Sequence, residues 1–234
     1  MMRPIVGYAV LTKGDVPLNT DGIAYTYRLA AGGVVVNAEN ASLKANIPVA
    51  AGSIRGLRAS HPGVELPQGR IPHALWPAIL AIGQEAASEQ QEALCEVCWL
   101  PEQRYGLRRP RQLAGVSALA YERQDRALLQ LHSHHRMPAF FSAVDDQDEQ
   151  GLGLYGVLGR LGVAGEQPEV LLRVGVYGHY QTLPWAAVFA GDLGDVRDLS
   201  QPAAERPSDE HGPGQPGHLD AQRGDTPREE HDPR

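Results

Sequence analysis

The sequence predicts a layered α/β domain, and three observations carry that prediction. A helix-period stretch occupies residues 72–91, a second helix start stands at Ser142, and short Val/Leu/Ile/Tyr-rich runs flank both. A helix, strands, a second helix and more strands form the element order of a layered α/β architecture.

Residues 4–11, 23–29 and 33–38 are enriched in Val, Ile and Tyr and are punctuated by Gly, Asn and Asp, so they read as strands. Residues 1–70 are therefore expected to form a β-rich N-terminal extension. Over 72–91, Leu75, Ile79, Ile82 and Ala86 fall on one helical face, with Gln84, Glu85, Ser88 and Glu89 largely opposite. Pro72 and Pro77 suit the first turn of that helix and not its interior. Strands are expected at 92–99, 114–121 and 127–134, with a polar turn at 122–125. A helix at 142–150 and strands at 152–161 and 169–180 complete a domain assigned to residues 71–197.

Residues 198–234 read as a disordered tail. From Gln201 to Arg234 the chain holds 6 Pro, 4 Gly and 12 charged residues, with Leu219 as the one large aliphatic. Such a composition buries too little apolar surface to offset chain entropy. Residues 201–234 hold 8 of the acidic and 4 of the basic residues, so most of the formal net charge of -7 belongs to them. The formal net charge of -7 argues against a general nucleic-acid binder, which needs a basic stripe to neutralise phosphates, although the remainder of the chain is nearly neutral. No apolar run approaches the ~18 residues that cross a bilayer, so no membrane partner is expected. Two cysteines make no disulfide scaffold, and the N-terminus lacks a signal-peptide pattern, so the cytoplasm is the expected compartment.

The chemistry concentrates in residues 131–145. His132 and His134 stand two apart at the end of the apolar run Ala127-Leu-Leu-Gln-Leu131. On a strand, residues i and i+2 share a face about 6.6 Å apart, so two imidazoles can converge on one cation. A catalytic zinc has three protein ligands and one open position, and Asp145, in the first turn after an N-cap Ser142, is the third candidate. Each piece also has a plain structural explanation. Ser-x-x-Asp is a common helix-capping pattern, a strand His pair can be a surface feature, and the acidic run to Glu149 can be a solvated face. Together, at fixed offsets on a strand, loop and helix, the pieces favour a metal.

At this point the sequence resembles a family. His132-x-His134, seven residues, Ser142, two residues, Asp145 resembles the JAMM motif of MPN-domain zinc metalloproteases, which remove ubiquitin and ubiquitin-like proteins. The words Met137–Asp146 and Arg173–Gly178 resemble a JAMM-like family of bacterial PRTRC cassettes. The resemblance implies an α-β-α MPN fold with a mixed central sheet, Zn2+ held by His132, His134 and Asp145, and Ser142 as an oxyanion donor. It implies a general-base glutamate where the first helix passes into the next strand, which is Glu92. Glu85, Glu89, Glu96 and Glu102 stand nearby, and Glu96 is the chief rival. The implied partners are a ubiquitin-like substrate and a ThiF-type adenylating enzyme of the same cassette. One departure is that His135, and not Pro, follows the second ligand histidine. Strand alternation is expected to turn it away from the metal.

Three rival readings stand beside the metalloprotease one. Cys95-x-x-Cys98 on a strand puts its thiols on opposite faces, which disfavours a shared metal. A zinc base deaminase needs H-x-E before P-C-x-x-C, and the order here is reversed. A non-catalytic MPN-type scaffold remains the alternative function. His179 and His61 are each lone histidines, expected to be structural and in a loop, respectively.

Overall fold

The computed structural model describes residues 3–13, 18–110, 112–114, 119–121 and 127–201. It is a mixed α/β fold with two mixed sheets and few helices. The first sheet is built from β1 (Val6–Val10), β2 (Leu18–Thr20), β3 (Tyr25–Ala30), β4 (Gly33–Glu39), β5 (Lys44–Ala51) and β6 (Gly63–Glu65), in the order β2-β1-β3-β4-β5-β6. Its pairs are antiparallel except β1 with β3.

A short 3-10 turn at His73–Leu75 leads into α1 (Trp76–Ser88). Pro77 sits in its first turn, where a missing N–H costs nothing. The buried face of α1 is Trp76, Ile79, Gly83, Ala86 and Ala87. The expected Leu75 and Ile82 lie partly buried at its edge.

The second sheet contains β7 (Leu94–Leu100), β8 (Arg104–Arg108), β11 (Ala127–Ser133), β12 (Leu152–Gly159), β13 (Glu169–Val176) and β14 (His179–Leu183), in the order β14-β13-β12-β11-β7-β8. β9 (Gln112–Ala114) and β10 (Leu119–Tyr121) form a separate antiparallel pair. α2 (Ala143–Asp148) follows β11, α3 (Trp185–Val188) follows β14, and β15 (Arg197–Asp198) pairs with the start of β13.

The core covers one face of this second sheet. Cys95, Val97, Leu129, Leu131, Leu154, Leu158, Leu172 and Val174 share one cluster with Trp76 and Ile79 of α1, Trp185 and Phe189, and Val36, Leu43 and Ile47 of the first sheet. The N-terminal strands thus share their core with the rest of the fold. A second link joins the two sheets, where Tyr25 stacks on Tyr177 at 5.4 Å and the Tyr27 hydroxyl meets His179 Nε2 at 3.0 Å. The opposite face of the second sheet carries α2.

Several expectations are corrected. The single strand expected over 169–180 is the hairpin β13–β14, turning at Tyr177 and Gly178, whose φ values of 48° and 87° suit a tight hairpin turn. The strand expected over 114–121 is divided between β9 and β10. Sequence patterning places no element at β2, β5, β6, β8, α3 or β15. The polar turn at 122–125 lies outside the described residues. Residues 198–201 still engage the sheet, since the Leu199 N–H donates to Val170 O at 2.9 Å. The rest of the expected tail, 202–234, lies outside the described residues.

Candidate metal centre

The site grows from the end of β11. His132 stands opposite Leu94 across the antiparallel pair with β7, and Gln130 opposite Glu96. The strand ends at Ser133, whose N–H donates to Ala93 O at 2.9 Å and whose Oγ accepts from the Ala93 N–H at 3.0 Å. These two bonds tie Ala93, and the chain beside Glu92, to the end of β11, and Glu92 there feels the charges of His135 and Asp145. The His134 N–H donates to Leu158 O at 2.7 Å, pinning that residue to β12.

The chain then turns through His135, whose φ is 34°. Strand alternation therefore does not govern His135, because the strand has already ended. Its imidazole lies close enough to act electrostatically on Glu92.

The loop from His134 to Ser142 lies tightly on the sheet. The Arg160 N–H donates to Met137 O at 2.7 Å, and the Leu161 N–H to His135 O at 2.6 Å. The Ala139 N–H donates to Oε2 of the buried Glu169 at 3.0 Å. Gly159 is required beneath it, since a Cβ there would stand 2.2 Å from the Ala139 nitrogen. Ser142 then caps α2. Its Oγ accepts from the Asp145 N–H at 3.2 Å, and Asp145 Oδ2 accepts from the Ser142 N–H at 2.6 Å.

This path brings His132, His134 and Asp145 together, with one ligand atom from each lying within 4.8 Å of the others. The two Nε2 atoms are 3.1 Å apart, and His132 Nε2 lies 3.4 Å from Asp145 Oδ1. Donors about 2.0–2.1 Å from a tetrahedral zinc are separated by about 3.3 Å, so the spacing fits that ion. The donor chemistry fits as well. Burial pushes the His132 imidazole down to about 4, opposed by Asp145, with His134 and Arg173 lowering it further. Burial lowers His134 too, against Asp145 and the Pro138 carbonyl. Two neutral imidazoles and a carboxylate are the forms that bind a metal.

Glu92 and Glu96 are separated by their surroundings. Glu92 is held above the usual carboxylate range by burial, with His135 opposing and Asp145 adding to the rise. Glu96 is fully buried, accepts from Arg108 Nε at 2.9 Å and from Gln130 Nε2 at 3.0 Å, and is committed to those partners. It lies four residues further along, about 13 Å on an extended strand.

Two groups around the site were not singled out from sequence. Arg173 packs beneath α2 between Phe141 and Tyr180. Glu169 holds the Ala139 amide and pairs with Arg160 and Arg197. The available signal was a charge within or beside an apolar strand, as in Glu169-Val-Leu-Leu-Arg-Val-Gly-Val176. His179 serves the link between the sheets described above, and His61 is an exposed loop residue. Cys95 and Cys98 are free and buried.

Fold and site together define an α/β protein with a His–His–Asp cluster at the end of a sheet strand. Residues 77–178 match the family model described as prokaryotic homologs of the JAB domain. The match supports the JAB/MPN family for that stretch, which contains Glu92, His132, His134, Ser142 and Asp145. None of the curated proteins matches the chain. Among the described residues, no helix is long and apolar enough to cross a membrane.

Proposed function

We propose that this protein is a zinc-dependent hydrolase of a peptide or isopeptide bond at the C-terminus of a ubiquitin-like protein. The observation that carries the reading is the convergence of three ligand atoms from His132, His134 and Asp145 within 4.8 Å. The resemblance of the JAMM motif and of the PRTRC-cassette words supplies the substrate class, and a ThiF-type adenylating enzyme is the expected companion. The JAB match over 77–178 supports the same direction.

His132, His134 and Asp145 would hold the zinc. When bound, zinc supplies Lewis acidity that makes water nucleophilic near neutral pH. Glu92 accepts the proton of the water that attacks the amide carbonyl and delivers it to the departing nitrogen as the C–N bond breaks. Burial keeps Glu92 a stronger base than a solvated carboxylate. Ser142 donates a hydrogen bond to the oxyanion. Its Oγ accepts from the Asp145 N–H, which leaves the hydroxyl proton to be donated.

The test uses the purified full-length chain and a ubiquitin-like protein fused through its C-terminal tail to a reporter. Cleavage is expected, with loss on chelation, return on adding zinc, and loss of both zinc and cleavage in His132→Ala. Undiminished cleavage after chelation sinks the zinc assignment. Tight binding of the ubiquitin-like protein with neither zinc nor cleavage would favour the non-catalytic scaffold.

A further inference from the structure

We propose that Arg173 is a positioning residue, which fixes α2, and with it Asp145 and Ser142, against the histidine strand. Its consequence for metal binding rests on the reading above, while its consequence for α2 rests on packing alone.

α2 has six residues, fewer than two turns, and a helix that short does not persist alone in water. A helix in a folded protein is usually held by an apolar stripe on the core. α2 buries none of its side chains, and Val144 in its first turn is 64% exposed. Something other than hydrophobic burial must keep it in place.

Arg173 supplies the grip. On β13, Val170, Leu172, Val174 and Val176 face the core, so alternation turns Arg173 to the α2 side. Its guanidinium lies 3.7 Å from the Phe141 ring centroid and 3.9 Å from that of Tyr180. At its edge, Nη1 donates to Asp146 Oδ1 at 2.7 Å and Nε to Glu149 Oε2 at 2.8 Å. A buried guanidinium is costly unless its charge and its faces are met; here Asp146 and Glu149 face the charge and two rings cover the faces, while Nη2 lies 2.6 Å from Glu149 Oε2 without a well-aligned hydrogen bond.

Every group in this clasp belongs to the loop and helix that carry Asp145, or completes their hold. Phe141 immediately precedes the N-cap Ser142. Asp146 follows Asp145, and Glu149 ends the helix. The Tyr180 hydroxyl lies 2.9 Å from both Asp146 O and Glu149 O, where the last carbonyls of a helix lack intrahelical partners. A ligand set tolerates displacements of only about 0.5 Å, so the clasp bears directly on whether Asp145 meets His132.

The test combines amide hydrogen exchange with metal titration of the full chain. In Arg173→Met, protection of amides at 143–148 is expected to fall while that of α1 at 76–88 holds. Zinc alone, titrated against a competing chelator, is expected to bind about 10- to 100-fold more weakly. Cobalt(II) bound to Arg173→Met should show the absorption spectrum of cobalt(II) bound to Asp145→Ala, because the same ligand is lost. Arg173→Lys should not restore it, since an ammonium neither stacks nor forks. Tyr180→Phe keeps the ring and removes the hydroxyl bonds, so it should move protection the same way if Arg173→Met fails to fold. Unchanged protection at 143–148 overturns the proposal, as does weakened zinc binding with a wild-type cobalt spectrum. If the wild-type chain binds no zinc, the metal reading fails and the exchange experiment alone decides the role of Arg173.

Discussion

Ser142 and Asp145 cap one another at the start of α2, each accepting a hydrogen bond from the other's backbone amide. The capping explanation and the metal explanation of Ser-x-x-Asp therefore do not compete. Asp145 divides its oxygens, with Oδ2 on the Ser142 amide and Oδ1 3.4 Å from His132 Nε2. The cap fixes the carboxylate that the histidines face.

Ser142→Ala should separate the two roles of the serine. Loss of the N-cap should cost about 1 kcal/mol in thermal or denaturant unfolding. Loss of the oxyanion donor should lower kcat by about 10²–10³, equivalent to ~2.7–4 kcal/mol of barrier. Zinc content should be unchanged. A kcat close to that of wild type, beside the expected stability loss, would reduce Ser142 to a cap.

Glu92→Gln and Glu96→Gln should behave differently. Glu92→Gln should retain zinc and fold normally while turnover falls by roughly 10²–10⁴. Glu96→Gln should lower the melting temperature, because it removes a buried carboxylate that Arg108 and Gln130 bond. Its turnover per folded molecule should be preserved. Exchanged phenotypes would move the base to Glu96.

The site was more legible than the fold around it. Offsets of two along a strand and three at a helix start are local, and β11 and α2 realise them directly. Glu92 needed the register of β7 on β11, which no local pattern reveals. β5 was hidden by Pro48, a residue that argues against a paired strand. β6 covers only Lys44 to Asn46 of β5, so Pro48 bonds into the sheet only toward β4. The β13–β14 hairpin was hidden because Tyr177, at positive φ, lacks the usual Gly or Asn signal. The shared core of the two sheets was illegible because it joins residues remote in sequence.

Cys95 and Cys98 should be inert in the native protein. Burial, with Glu96 adding to it, pushes the Cys95 thiol up to about 12, and burial raises Cys98 against the influence of Arg108. A thiolate is the reactive form, so native alkylation should be far slower than in denaturant. Cys95→Ser with Cys98→Ser should leave zinc content unchanged. Rapid native labelling, or loss of zinc, would reopen the Cys-x-x-Cys motif as a functional one.

Metal-free protein should lose stability on acidification through the histidine pair. The folded His132 imidazole titrates at about 4, against 6.5 in the unfolded chain, and His134 is lowered in the same sense. Between those values the unfolded state binds more protons, so stability rises with pH, is fully present above 6.5 and is lost as pH falls toward 4. Glu149 opposes this, since burial, against its pairing with Arg173, pushes it up to about 7 and makes stability fall as pH rises from 4.5 toward 7. The two effects separate in a difference experiment. Urea unfolding of wild type and of His132→Asn, followed from pH 4 to pH 8, should give curves that run parallel above pH 6.5. Below it the wild type should fall more steeply. Parallel curves across the whole range would mean that His132 titrates alike folded and unfolded.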